Sequence, residues 1–323
     1  MNVKNKLVVG TLLLAARAWG EPVAGSLDIH WNEGAEDCGK ALHEPLQVDR
    51  YEPQTLILRQ SLCSSFEAPL LYLLIGADEA LLIDTGAVED AAQMPLAKTV
   101  MDLLPEKNGA KLPLLILHTH GHRDHRAGDA QFATLPGVKV VPAEVPDLQT
   151  ALSLPQWPEG AARIDLGERT VDVIAAPGHQ PAHLIFYDDR TALLFTGDFL
   201  LPGRLMVDDL AAYRASAARL AAFVADRPVS HVLGAHIELD AQGELFPSGS
   251  QHHPNERALP LAKADVQSLP GALADFNGFY SRHDRFVITN PKRNFFTLVG
   301  GVVVLLAAIV WAWLRMRRRR AAS

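Results

Sequence analysis

The chain has 323 residues, 48% of them hydrophobic and 21% charged, with a net charge of −7. That length and composition suit one large globular domain or two smaller ones, and exclude disorder, collagen-like repeats and a disulfide-held miniprotein. Three basic residues within 1–20 and five arginines within 295–323, with no acid at either end, leave the intervening body at −15, which argues against a nucleic-acid partner because an acidic body repels polyphosphate.

At the start, Lys4 and Lys6 precede an apolar run over 7–16, and Ala16-Arg17-Ala18 has the small-x-small form of a signal-peptidase site, with cleavage after Gly20 as the alternative. The run is too short to span a bilayer. Residues 1–20 therefore read as an export signal, and 21–53 as an N-terminal extension. The two cysteines, Cys38 and Cys63, stand apart from every histidine motif, and export permits a disulfide between them.

Apolar and β-branched runs predict strands over 55–59, 70–75 and 80–83, then a helix over 94–104 and a strand over 114–117. Further strands are predicted at 138–141, 170–175, 184–187, 192–195 and 231–233. A helix over 208–225 places Leu210, Tyr213, Ala217, Leu220 and Val224 at helical spacing. Tyr213 is thereby expected in the core. The polar, glycine- and proline-containing stretch 239–253 reads as a loop, which puts His252 and His253 in solvent. A helix over 259–276 and a strand over 285–289 complete the ectodomain. This mixture of strands and helices argues for an α/β layered fold.

Residues 295–314 form twenty positions without a charge. At ~1.5 Å per residue a helix of that length covers the ~30 Å hydrocarbon core of a bilayer. Trp311 and Trp313 sit at its far end, and Arg315, Arg317, Arg318, Arg319 and Arg320 follow. Indole rings favour the interface, and clustered arginines stay on the cytoplasmic side. The expectation is a single-pass plasma-membrane (inner-membrane) protein, with 295–314 as the transmembrane helix and 315–323 as a cytoplasmic basic tail. Its body faces the periplasm or exterior. The connector over 290–294 is too short for a flexible stalk, so the domain should lie close to the membrane.

The chemistry-bearing residues concentrate after the apolar run 114–117, in His118-Thr119-His120-Gly121-His122-Arg123-Asp124-His125. Residues two apart on an extended segment point the same way, so His120 and His122 can present imidazoles to one metal ion. A turn through Arg123 then aims Asp124 and His125 at a second. Imidazole nitrogen with carboxylate oxygen suits zinc, and less specifically iron or manganese.

This segment resembles the H-x-H-x-D-H signature of the metallo-β-lactamase superfamily, and four further motifs follow the family order. They are Asp84 in Leu81-Leu82-Ile83-Asp84-Thr85-Gly86, His179 in Ala176-Pro177-Gly178-His179, Asp198 in Phe195-Thr196-Gly197-Asp198, and His236 in Leu233-Gly234-Ala235-His236. The resemblance covers about 54–240, the expected hydrolase domain, and leaves 241–294 as the remainder of the ectodomain and its connector. It implies an αββα four-layer sandwich with two Zn2+ ions at one edge. His120, His122 and His179 would hold the first ion, Asp124, His125 and His236 the second, and Asp198 would bridge them. Asp84 would support the site by hydrogen bonding, and Asp124 would orient the nucleophile or take up its proton. Two departures stand out: Arg126-Ala127-Gly128 where x-Gly-Gly is common, and Gly234-Ala235-His236-Ile237 where Pro-Gly-His-Gly is frequent.

What the resemblance implies is an exported, membrane-anchored binuclear zinc hydrolase. It would cleave an ester, thioester, lactone or related small-molecule bond with a metal-bridging hydroxide. A bridging Asp198 resembles the glyoxalase II, lactonase and phosphodiesterase branches, whereas true β-lactamases lack that ligand. A small-molecule phosphodiesterase and a non-catalytic metal-binding or sensor module are the alternatives. The sequence points to a small-molecule substrate and to the membrane, and to no particular protein partner.

Overall fold

The computed structural model describes residues 20–321, so the expected export signal falls, but for Gly20, outside the described residues. The first half of the chain forms β1 (Leu46–Glu52), β2 (Thr55–Gln60), β3 (Leu70–Ile75), β4 (Ala80–Ile83), α1 (Leu96–Leu103), a short pair β5 (Glu106–Lys107) and β6 (Ala110–Lys111), β7 (Leu114–Leu117), α2 (Arg123–Arg126), a 3-10 turn (Ala127–Gln131), β8 (Val138–Val140) and α3 (Val145–Ala151). The second half forms β9 (Ala162–Asp165), β10 (Thr170–Ala175), β11 (Leu184–Asp188), β12 (Leu193–Gly197), β13 (Arg204–Met206), α4 (Leu210–Val224), β14 (His231–Gly234), α5 (Lys263–Asp275), β15 (Tyr280–Arg282), β16 (Val287–Thr289) and α6 (Pro291–Ala321).

Two sheets face each other. One has the order β1-β2-β3-β4-β7-β8 and the other β14-β12-β11-β10-β9. Side chains alternate across a strand, and the central strands use that alternation to feed two cores each. In β3, Leu70, Tyr72 and Leu74 enter the layer between the sheets, while Leu71, Leu73 and Ile75 pack outward with Leu96 and Val100 of α1. In β11, Leu184 and Phe186 point between the sheets, and Ile185 and Tyr187 pack outward with residues of α4 and α5. Helix, sheet, sheet and helix thus form four layers. Strands buried on both faces are continuous apolar runs, which is why these were legible in the sequence.

β4, β7 and β8 run parallel, as do β12 and β14. Their carboxyl ends therefore gather at one edge, and Asp84, 118–125, Asp198 and His236 all follow such ends.

The edge elements depart from expectation. Residues read as an N-terminal extension supply β1, which pairs with β2 from Leu46↔Gln60 to Glu52↔Thr55. Its mixed burial leaves no apolar run to recognise. Cys38 and Cys63 are joined as a disulfide, tying the extension to the loop after β2. Residues 241–294 are also integrated, since α5 packs with α4 and β16 pairs with β13. His253 is not in solvent: it is 6% exposed, lies parallel to the Phe246 ring at 4.1 Å and has Nδ1 3.1 Å from Glu256 Oε1. Glu256 in turn forms two 2.6 Å hydrogen bonds with Arg59 of β2, and that buried pair pulls the loop inward.

α6 is long and apolar enough to cross a membrane, with a mean hydropathy of 2.5 over its best window. Its apolar side chains are exposed along its length. At its base it is held to the domain, because Arg293 lies 4.5 Å over the Phe279 ring and Asn294 Nδ2 donates to the Phe279 carbonyl at 3.1 Å.

Candidate metal centre

Two groups of donor atoms converge at the shared sheet edge. In the first, His120 Nε2 lies 2.8 Å from His122 Nδ1 and 3.2 Å from His179 Nε2, and the last pair is 3.1 Å apart. In the second, Asp124 Oδ2 is 3.2 Å from His125 Nε2 and 3.4 Å from His236 Nε2. Asp198 stands between the groups. Its Oδ1 faces His125 at 3.5 Å and His236 at 3.3 Å, and its Oδ2 faces His179 at 3.6 Å and His120 at 3.9 Å. All seven candidate donors from the sequence are therefore brought together. The last of them, His236, occupies its position despite the altered residues around it.

The local backbone explains this placement. α2 replaces the expected turn at Arg123 with a single helical turn, which keeps Asp124 beside His125 on the second group. His179 follows Gly178, whose φ is +146°, and a Cβ there would lie 2.4 Å from the Tyr213 Cα of α4. The Gly178 carbonyl also accepts from the amides of Asp208 and Asp209 at 3.0 and 2.9 Å. Gly178→Ala should therefore force the His179 loop off α4. We expect a loss of about 1–3 kcal/mol in thermal unfolding together with reduced metal retention; an unchanged melting temperature would contradict this close approach.

Second contacts occupy one ring nitrogen of His120, His125, His179 and His236 and leave the other available. His179 Nδ1 lies 2.9 Å from the Met206 carbonyl, and His236 Nδ1 lies 2.7 Å from the Glu67 carbonyl. An N–H donated to such an oxygen fixes the tautomer and turns the Nε2 lone pair into the site. His125 Nδ1 lies 2.9 Å from Asp84 Oδ2. Thr119 donates its amide to Asp84 Oδ1 at 2.6 Å and its hydroxyl to Oδ2 at 2.8 Å. That hydroxyl oxygen then faces Nδ1 of His120 at 3.2 Å and of His125 at 3.1 Å. Asp84 and Thr119 thus orient one histidine of each group.

Asp84 is 1% exposed and lies behind His125, where its oxygens meet Thr119 and His125. Its φ of +67° is left-handed, a conformation that aspartate tolerates better than most residues. His118 is a buried hydrogen-bonded residue, with Nδ1 3.2 Å from the His125 carbonyl. His183 stacks on His120 at 5.2 Å, and neither of its ring nitrogens has a hydrogen-bond partner among the described residues. Tyr213 is fully buried in the core, and Arg204 is engaged by Glu238 at 3.0 Å.

The donor set fits a pair of cations. Burial, reinforced by neighbouring histidines, holds the His120 imidazole well below its usual pKa, and the neutral ring is the ligating form. In the second group burial opposes a charge on His236, but Asp198 and Asp124 overcome it and raise its pKa to about 10. Burial likewise opposes the charged forms of Asp124 and Asp198, yet the adjacent histidines hold both carboxyls below the usual carboxylate range. The buried Asp198 and the half-buried Asp124 thus demand positive charge between them. Asp198 Oδ1 and His125 Nε2 are also buried without a hydrogen-bond partner. Tetrahedral ligation at about 2.0–2.1 Å separates ligand atoms by roughly 3.3 Å, close to most of the spacings seen here.

Thr119 and the carbonyls of Met206 and Glu67 are contributors that the sequence did not reveal. Thr119 lies inside the recognised motif, so its position was a signal. A carbonyl carries none, since every residue has one.

The family model of the metallo-beta-lactamase superfamily matches residues 66–244. A hydroxyacylglutathione hydrolase from Rhodobacter capsulatus is 32% identical over 203 residues, 59% of this chain and 75% of the relative. The bovine acyl-coenzyme A thioesterase MBLAC2 is 24% identical over 220 residues, 56% of this chain and 77% of the relative. Several further hydroxyacylglutathione hydrolases are matched over less than half of their own length. Among solved structures, a metallo-beta-lactamase from Pontibacter korlensis aligns with a TM-score of 0.48 and 16% identity, covering 72% of this chain and 100% of that one.

Proposed function

The chain belongs to the metallo-beta-lactamase superfamily, and from that premise we propose that it is an exported, membrane-anchored binuclear metal hydrolase acting on an ester, thioester or lactone. The observation that carries this reading is Asp198, whose two carboxylate oxygens face separate groups of donors. A closed structural site needs only four ligands, whereas here seven converge in two sets. His120, His122 and His179 would hold one ion, Asp124, His125 and His236 the other, with Asp198 shared. Zinc suits this donor chemistry. When bound, the two ions would supply Lewis acidity and an activated water.

The chain's own residues supply the rest. Asp124 is the most exposed of the site carboxylates, its side chain 22% accessible against 7% for Asp198. It is therefore the site carboxylate open to a water or substrate entering the site, and its unprotonated oxygens can orient that water by accepting its hydrogen bond. His179 and His236 each border a different cleft, so a substrate bond lying between them has room for a group on either side. The relatives named hydroxyacylglutathione hydrolase and acyl-coenzyme A thioesterase support an acyl substrate. Anchoring is supported by α6, and export by the apolar run over 7–16 and by the Cys38–Cys63 disulfide.

Metal content is the test. The full chain, purified in detergent with zinc and then dialysed, should hold about two transition-metal ions per chain by elemental analysis. A His120→Ala, Asp198→Ala double variant should lose them. One ion or none in the unaltered protein would overturn the binuclear reading.

A further inference from the structure

The cleft beside His179 reaches the base of α6. It has a volume of about 430 Å³ and is lined by Val145, Trp157, Pro177, Pro181, Ala212 and Lys292, among others. Lys292 belongs to the first turn of α6, and its Nζ lies 2.5 Å from Asp208 Oδ2 at the cleft rim. One of the two clefts that border the site and the start of the candidate membrane helix are therefore one place on the molecule.

The connection is also rigid. His179 Nδ1 meets the Met206 carbonyl at 2.9 Å, and Met206 is registered opposite Thr289 in the parallel pair of β13 and β16. The Val207 amide donates to the Thr289 carbonyl at 2.8 Å, and α6 begins at Pro291. From Pro291 to Phe295, where the uncharged stretch starts, a helix rises only about 6 Å. That distance matches the polar layer of one leaflet, roughly 5–8 Å between hydrocarbon and water. A helix crossing the bilayer would hold Lys292, and with it the cleft mouth, at headgroup depth.

We propose that the substrate is an amphiphile drawn from the membrane leaflet, a medium- or long-chain acyl thioester or ester whose chain lies in the Trp157 cleft. This rests on the hydrolase reading above and names its substrate class. Val145, Trp157 and the prolines give the chain an apolar wall opposite a polar rim of Gln180, Asp208 and Asp209, and the His179 end of the cleft would place its carbonyl at the donor cluster. The head of the molecule would occupy the second cleft, of about 200 Å³, beside His236. There Arg59 is neutralised by Glu256 and Arg204 by Glu238, an environment for a leaving group of low charge. In the reaction water adds to the acyl carbon, the C–S or C–O bond breaks, and the leaving atom takes a proton. The products are a fatty carboxylate and a thiol or alcohol.

Two measurements on the full chain in phospholipid nanodiscs test this. In the first, zinc-loaded protein hydrolyses acetyl, butanoyl, hexanoyl and octanoyl thioesters of one uncharged thiol, and free thiol is detected. We expect kcat/KM to rise with chain length by up to about fourfold per methylene. Ala212→Trp, which fills the cleft, and Trp157→Ala, which opens it, should both flatten that slope. In the second, metal-stripped protein is irradiated with a diazirine-bearing palmitic acid and the labelled peptides are mapped. Labelling at Trp157 and Pro181 is expected.

Length-independent turnover with labelling confined to α6 would overturn the cleft proposal and leave the hydrolase reading intact. Labelling at Trp157 with no turnover of any thioester or ester would sink the hydrolase reading instead, and leave the cleft as an acyl-binding site.

Discussion

Asp198→Asn should lower kcat/KM by roughly 100- to 1,000-fold, the range seen when a preorganised charge at a reacting centre is removed. The substitution keeps shape and volume while removing the charge, so the effect isolates electrostatics from packing. Asp198 Oδ1 lies 3.3 Å from His236 Nε2, and Oδ2 lies 3.6 Å from His179 Nε2. No other carboxylate among the described residues faces both groups. Metal content should fall from about two ions per chain toward one under the same dialysis, because the shared anion that offsets repulsion between neighbouring cations is gone. Asp84→Asn acts differently. It alters the Thr119 and His125 contacts behind the site, where such outer partners typically contribute 10- to 100-fold. Equal losses in the two variants, with metal retained in both, would contradict the assignment of Asp198 as the shared group.

Much of this centre was legible because the sequence writes it at strand ends. β4, β7, β12 and β14 are apolar runs buried on both faces, and each is followed at once by a site residue or motif. Spacing alone put His120 and His122 on one side of an extended segment. It did not link them to His179, Asp198 or His236, which lie dozens of residues away and entered only through family resemblance. What stayed hidden depends on long-range packing. The Met206 and Glu67 carbonyls that aim His179 and His236 have no side-chain signature. β1 and β9 are edge strands of mixed burial, so they lack the continuous apolar run that marks the central strands. His253 looked like a loop histidine because its partners, Phe246 and the Arg59–Glu256 pair, are set by the tertiary fold. Even the Trp157 cleft joins segments from 145 to 292 that no local pattern relates.

At the opposite edge of the sandwich, Arg169→Met should destabilise the protein by about 3–5 kcal/mol, the cost of leaving a buried charge without its partner. Arg169 sits just before β10 with its side chain 1% exposed, and Asp188 at the end of β11 is fully buried. Two 2.8 Å hydrogen bonds join them. The same guanidinium donates to the Gln54 carbonyl at 2.7 Å, to the Ile75 carbonyl at 3.3 Å and to Thr55 Oγ1 at 2.8 Å. These three belong to the other sheet's hairpins, so one side chain ties both sheets together. Methionine keeps part of the volume but leaves Asp188 without its countercharge, with the Thr191 amide and hydroxyl still donating to it, and frees three acceptors. The expected drop in melting temperature is on the order of 10 °C. Arg163→Met supplies the contrast, since Arg163 also pairs with an aspartate, Asp172 at 2.8 Å, but is 40% exposed. Water reaches that guanidinium but hardly Asp172, whose side chain is 8% exposed, so its loss should cost about 1–2 kcal/mol, less than for a pair buried at both ends. A double Arg169→Met, Asp188→Leu variant should recover much of the stability lost by the single change, because it removes the stranded charge along with its partner. Chemical denaturation of the four proteins decides the matter. If Arg169→Met costs no more than Arg163→Met, the two sheets are held by apolar packing alone and the buried pair contributes nothing to their union.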